Sequence, residues 1–171
     1  MDKNVMWAFF SLPNSVMTHS INVAKLCQKF AEPFDLDRRL LFTCGLFHDI
    51  GKLYIDERIL NKRSCLTKTE FEIMKQHTQY GYDLLKESNV NELVCLSALY
   101  HHERLNGTGY WKKKKDELPI VVQIVAVVDV FEATTSYRPY RFPKSKKAAL
   151  RILKDTELFN KEIVSVLESI V

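Results

Sequence analysis

The sequence predicts an all-α fold, a single helical bundle of about seven helices. Gly and Pro number only five each among 171 residues, too few to punctuate the short strands of a sandwich or barrel. Apolar residues recur at helical spacing through most segments. The one run that could be a strand on composition, Leu118 to Phe131, has no partner strand elsewhere and reads as a buried helix.

Along the chain, Asn14 or Ser15 caps a helix carrying Val16, Val23, Leu26, Cys27 and Phe30 on one side and His19 within it, and Pro33 ends it. Asp35 or Asp37 caps the next, with Leu40, Leu41, Cys44, Leu46 and Phe47 packing inward, and Gly51 marks its end, so His48 and Asp49 fall at its C-terminal rim. Thr67 and Glu70 have capping-box spacing and open a helix through Phe71, Ile73 and Met74 to His77. A helix over 90–100 delivers His101 and His102 at its end. The polar, Gly-bearing stretch 103–116 is a loop, and the tail 144–171 reads as two short amphipathic helices with Phe159 near the turn between them. Trp7, Phe9 and Phe10 form a hydrophobic cap. With 46% hydrophobic residues, no repeat and no low-complexity linker, the chain is expected to be one domain over 1–171, its core at about 15–141 and its last helices over 144–171.

The formal net charge of +4 is a mild excess that favours anionic ligands without demanding nucleic acid. Cys27, Cys44, Cys65 and Cys95 form no CxxC pair and read as buried thiols of a reducing compartment. The longest apolar stretch is interrupted by Gln123 and Asp129 and falls short of a membrane span. The apolar residues after Lys3 lack a small-residue cleavage site. A cytoplasmic protein is expected.

All five histidines, His19, His48, His77, His101 and His102, fall where a helix ends or faces inward beside other candidate ligands. Imidazoles with carboxylates and no suitable thiolate suit iron, manganese, zinc or nickel. Asp49 offers one oxygen to each of two ions, as bridging carboxylates do in two-metal hydrolases. Asp129 interrupts an apolar helix, where an unpaired charge costs several kcal/mol, so it needs a salt bridge or a metal. Glu132, three residues on, shares its face.

His48-Asp49-Ile50-Gly51-Lys52, His77, His101-His102-Glu103, Gly107, Gly109-Tyr110, Asp129 and Arg138-Pro139-Tyr140-Arg141 together resemble the HD-GYP subgroup of the HD phosphohydrolase superfamily, from about Ser15 to the C-terminus. The resemblance implies a bacterial, helical, metal-dependent phosphodiesterase that hydrolyses cyclic di-GMP. It implies Asp49 as bridging ligand, with His77, His101 and His102 on one ion and His48, Asp129 and His19 on the other. Lys52 then approaches the scissile phosphate, and Tyr110, Arg138 and Arg141 bind the ligand. The resemblance implies iron or manganese among the metals that the donor set allows. Ser15 stands where three-metal members carry glutamate, which implies two divalent ions.

Trp111 stands at the proline position of the Gly-Tyr-Pro pattern, the basic run 112–115 replaces a glycine-containing loop, and Tyr137 occupies a place that is usually acidic. Three readings follow: hydrolysis of cyclic di-GMP to pGpG and onward to GMP; action on another nucleotide or cyclic dinucleotide; or a non-catalytic receptor or adaptor, with a diguanylate-cyclase-type partner at the altered loop. No nucleic-acid partner is expected.

Overall fold

A computed structural model describes residues 3–137 and 142–171. Among them run nine α-helices: α1 (Lys3–Phe10), α2 (Asn14–Cys27), α3 (Arg38–Phe47), α4 (Glu57–Leu60), α5 (Lys68–Glu87), α6 (Glu92–Tyr100), α7 (Ile120–Thr135), α8 (Lys146–Lys154) and α9 (Lys161–Ile170). Three short 3-10 segments, Gln28–Phe30, Ile50–Tyr54 and Lys115–Glu117, complete the regular structure. The described residues form no strand beyond an isolated bridge between Asn106 and Lys114. The two helices beyond the seven expected are α1 and α4. Helix α1 buries Val5, Ala8 and Phe9 at helical spacing, with the Phe9 ring edge-on to Phe47 at 5.8 Å, while Trp7 and Phe10 of the expected cap stay exposed. Helix α4 is a single turn capped by Asp56, too short to show a period in sequence.

The caps follow the chemistry of the termini. Of the two aspartates before α3, Asp37 is the cap, accepting from the Leu40 N–H at 2.6 Å, and Asp35 instead takes a positive φ of 50° in the preceding turn. Neither Asn14 nor Ser15 caps α2. Asn14 is its first residue, and the Pro13 carbonyl accepts from Val16 and Met17. Thr67 and Glu70 form the reciprocal capping box of α5. That helix does not stop at His77 but runs on to Glu87, and Phe71 and Ile73 lie on its exposed side. Its buried face is His77, Thr78, Gly81 and Leu85.

The apolar run forms helix α7, with Val121, Val122, Ile124, Val125, Val127 and Val128 all buried. A helix apolar on nearly every side must be central. Helices α2, α3, α6, α8 and α9 all pack on it. The amphipathic pair α8 and α9 closes the bundle with Leu150, Leu153, Ile163, Val164 and Leu167, and Phe159 is buried between them. Fully burying one such side chain is worth ~1.5–3 kcal/mol. Cys27, Cys44 and Cys95 are buried as expected, but Cys65 lies exposed in the stretch between α4 and α5. No helix among the described residues is long and apolar enough to cross a membrane.

Gly51 does not end a helix as expected. It sits inside the Ile50–Tyr54 turn, pressed on α5, where a Cβ would fall 2.0 Å from the His77 carbonyl oxygen and 2.4 Å from the Gly81 nitrogen. This close approach brings the segment carrying Asp49 up against His77. Gly51→Ala should therefore destabilise the fold by at least the ~1–3 kcal/mol of an overpacked core. Urea unfolding measures this, and a midpoint equal to wild type would show that the two segments have room to part.

Candidate metal centre

Five elements deliver the cluster. His19 comes from α2, His48 and Asp49 from the turn that ends α3, His77 from the middle of α5, His101 and His102 from the end of α6, and Asp129 from α7. The structure thus brings together all seven residues that the sequence singled out as ligands. Asp49 is at their centre and 1% exposed. Its Oδ1 lies 3.4 Å from His77 Nε2 and 3.6 Å from His101 Nε2. Its Oδ2 lies 3.4 Å from His48 Nε2 and 3.8 Å from His19 Nε2. Ligand atoms of Asp49, His77, His101 and His102 fall within 4.8 Å of one another, as do those of His19, His48 and Asp49. Asp129 Oδ1 joins the second set, 3.0 Å from His19 Nε2 and 3.9 Å from His48 Nε2.

Three of the five imidazoles are held in one tautomer. A carbonyl only accepts, so His48 Nδ1 carries the proton it donates to Gly45 O at 2.8 Å, His77 Nδ1 donates to Met74 O at 2.5 Å, and His101 Nδ1 donates to Ala98 O at 3.0 Å. Each Nε2 lone pair is left facing the centre. His77 and His101 bring theirs within 3.4 Å of each other, an arrangement that is repulsive without a cation between them. His48 Nε2 and Asp49 Oδ1 are buried with no hydrogen-bond partner among the described residues, a costly state that a metal ion relieves. The donor set therefore fits a divalent metal.

Electrostatics divide the cluster. Burial pushes His77 down to about 3, and burial with neighbouring imidazoles also lowers His101 and His102, so these three stay neutral, the form that ligates. Burial works against charge at His19 as well, but there hydrogen bonds to Asp129 and Glu132 outweigh it and raise the ring to about 9. Asp49 and Asp129 are likewise opposed by burial, yet Lys52 and His48 beside the first, and His19 beside the second, hold both carboxyls well below the usual range. A field that concentrates positive charge suits a metal cation as well as a proton.

Glu132 completes the support of His19. It accepts from His19 Nδ1, from Asn22 Nδ2 at 2.9 Å and from Ser136 Oγ at 2.6 Å, which is how a carboxylate fixes a ligating imidazole. The sequence placed Glu132 on the face of Asp129 but not in contact with His19. Asn22, three residues after His19 on the same helix, was the signal available. Lys52 Nζ sits 2.6 Å from Asp49 Oδ2. Asp49, His19, Lys52, Lys62 and Glu132 line an open cavity of about 700 Å³. Tyr110 is not in that lining. Its half-buried ring stacks on His102 at 4.5 Å. Arg138 and Arg141 lie outside the described residues.

Fold and site define a helical protein built around a buried histidine and aspartate cluster suited to metal. The HD domain family model matches residues 16–134. The chain belongs to the HD domain family and, on its motifs and relatives, to the HD-GYP subgroup. A cyclic di-GMP phosphodiesterase of Thermotoga maritima is 47% identical over 155 residues, covering 85% of this chain and 42% of that protein. A 3′3′-cGAMP-specific phosphodiesterase of Vibrio cholerae is 36% identical over 140 residues, covering 80% and 32%. The chain thus spans less than half the length of these curated relatives. Among solved structures, an HDG"Y"P protein from Bdellovibrio bacteriovorus superposes with a TM-score of 0.74 at 16% identity, over 94% of this chain and 55% of that one. The L. monocytogenes phosphodiesterase PgpH HD domain, in complex with cyclic-di-AMP, gives 0.68 at 20% identity over 96% and 93%. Both share the fold.

The His19 pair yields a sign that can be measured. Its folded pKa, about 9, lies above the ordinary 6.5, so its protonation stabilises the fold fully below 6.5, and that contribution fades as pH rises through 9. Glu132→Gln removes one of the carboxylates responsible and should lower the His19 pKa in chelator-treated protein. Histidine NMR titration reads this directly; an unchanged value would show that Asp129 alone sets it.

Proposed function

We propose that this chain is a metal-dependent phosphodiesterase domain that hydrolyses cyclic di-GMP, with Asp49 bridging two divalent ions, iron or manganese. The observation carrying this reading is the placement of the two Asp49 oxygens, one toward His77 and His101 and the other toward His48 and His19. In this assignment His77, His101 and His102 serve one ion and His19, His48 and Asp129 the other. Ions so held supply Lewis acidity, which makes water nucleophilic near neutral pH and offsets phosphoryl charge. The names of the similar cyclic dinucleotide phosphodiesterases support the substrate class.

The protein's own residues do the rest. An ammonium has three N–H groups. Lys52 commits one to Asp49 and turns toward the cavity, where the others are placed to neutralise a phosphoryl oxygen as charge builds. The cavity falls within the ~300–1,000 Å³ of small-molecule sites. Its wall carries Asn14, Asn22, Asn61 and Ser136, amide and hydroxyl groups suited to base edges and ribose, and Lys62, whose charge is already paired with Glu70 at 2.6 Å. Arg138 and Arg141 are assigned to the ligand from the family resemblance, following Tyr137 of the cavity wall. The product is pGpG, with GMP on further cleavage.

The experiment is chromatographic product analysis on iron- or manganese-loaded protein given cyclic di-GMP, 3′3′-cGAMP and cyclic-di-AMP. Cleavage of cyclic di-GMP is expected, and intact substrate in every case would refute the assignment. Lys52→Ala should keep both ions and lose ~10²–10³-fold in rate, the cost of one oxyanion-stabilising donor. Asp49→Ala should lose ions and activity together. An emptied metal site in Lys52→Ala would show instead that the lysine acts through Asp49.

A further inference from the structure

Trp111 stands where the subgroup's pattern has proline, and the structure gives it two bonds that no proline makes. Its backbone N–H donates to Glu103 Oε1 at 2.7 Å, and its indole Nε1–H donates to Thr78 Oγ1 at 3.1 Å. Glu103 is 2% exposed and takes a second backbone donor, Lys113 N, at 2.6 Å on its other oxygen. The loop also lies close over Glu103: a Cβ on Gly109 would fall 2.4 Å from Glu103 Cα and 2.6 Å from Oε1. One buried carboxylate thus holds the loop from below. Trp111 ties it across to α5, at the residue that follows His77.

Between those two anchors sits Tyr110. Its ring centroid lies 4.5 Å from that of His102, tilted by 38°, and its far side meets Phe71 edge-on at 5.7 Å. His102 depends on this contact in a way the other four histidines do not. His19, His48, His77 and His101 each have Nδ1 hydrogen-bonded to a carboxylate or a carbonyl. His102 makes no side-chain hydrogen bond among the described residues, and its ring is set by packing against Tyr110, His101 and His77, of which Tyr110 alone comes from the loop. The loop takes the orienting part that a hydrogen bond plays for the others.

We propose that Trp111 is a positioning residue for the metal centre: through its bond to Thr78 it holds Tyr110 on His102 and so sets the affinity of the ion that His77, His101 and His102 share. This rests on the reading of the cluster as a two-ion centre. The tryptophan does not mark a lost site. It replaces the rigidity of a proline ring with a hydrogen bond to the helix that supplies a neighbouring ligand.

The test is titration of the chain with Mn²⁺, followed by electron paramagnetic resonance of the free ion, for wild type, Trp111→Phe, Thr78→Val and the double variant, with circular dichroism to verify the fold. Wild type should bind two ions. Trp111→Phe keeps the ring and loses the donor, and it should weaken one ion by about tenfold while sparing the other, as loss of an orienting partner does. Thr78→Val removes the same acceptor and also the bond from Thr78 Oγ1 to Lys75 O, so it should weaken that ion at least as much, and the double variant should be no weaker than Thr78→Val, in which the Trp111 bond is already gone. Trp111→Pro removes both bonds and should be weaker still. Wild-type affinities in Trp111→Phe, additive losses in the double variant, or tighter binding in Trp111→Pro would overturn the proposal and leave the metal centre standing. A wild-type chain that binds no Mn²⁺ would overturn both.

Discussion

A single buried carboxylate is the constraint around which this bundle is arranged. Asp49 is almost wholly withdrawn from water, and an unpaired charge there would cost more than the fold could bear. Its surroundings answer that cost from every direction, with Lys52 on one oxygen and two groups of imidazoles on its two sides. The tight contact of Gly51 with α5, the carbonyl bonds of three histidine Nδ1 atoms and the Glu132 bond to His19 all serve the same arrangement. Packing and site chemistry here are one problem.

The division of the cluster into a neutral half and a charged half follows from where its supports come from. On the His77 side the partners of Nδ1 are main-chain carbonyls, which fix orientation without adding net charge. On the His19 side His48 Nδ1 also meets a carbonyl, but His19 has carboxylates from α7 at both ring nitrogens, Glu132 at Nδ1 and Asp129 at Nε2. The side with more anionic ligation also faces the open cavity and Lys52. On the proposed function a phosphate would approach there, so negative charge from protein and ligand would meet and demand the strongest compensation.

Much of this could be read from the sequence because it rests on local rules. The capping box at Thr67 and Glu70, the buried helix over Leu118 to Phe131 and the amphipathic pair at the C-terminus are patterns of a few residues with direct physical causes. The seven candidate ligands were legible because an ordered set of histidines and aspartates resembles a known subgroup. What stayed hidden was long-range. Nothing near Gly51 announces the backbone of α5, and nothing near Trp111 announces Thr78, 33 residues earlier. The continuation of α5 past His77 was missed for a related reason: the buried face just beyond it is Thr78 and Gly81, which carry no apolar signal, and the next apolar residue on it is Leu85, two turns on.

The hydrogen bond from His19 to Asp129 joins residues 110 positions apart. Between them lie the other three segments that contribute to the cluster, each on its own helix or helix end. Residues 48–102 carry Asp49, His77, His101, His102 and His48, but the second set has His19 and Asp129 at its two ends, so the whole centre forms only when the first long helix has docked on the central one. Closing so long a loop is slow and entropically costly, and its reward comes late in folding. A bound ion would stabilise only the finished topology. Metal retention would thus report on completion of the fold, and a chain stalled with α2 undocked would forfeit its chemistry before losing most of its helices.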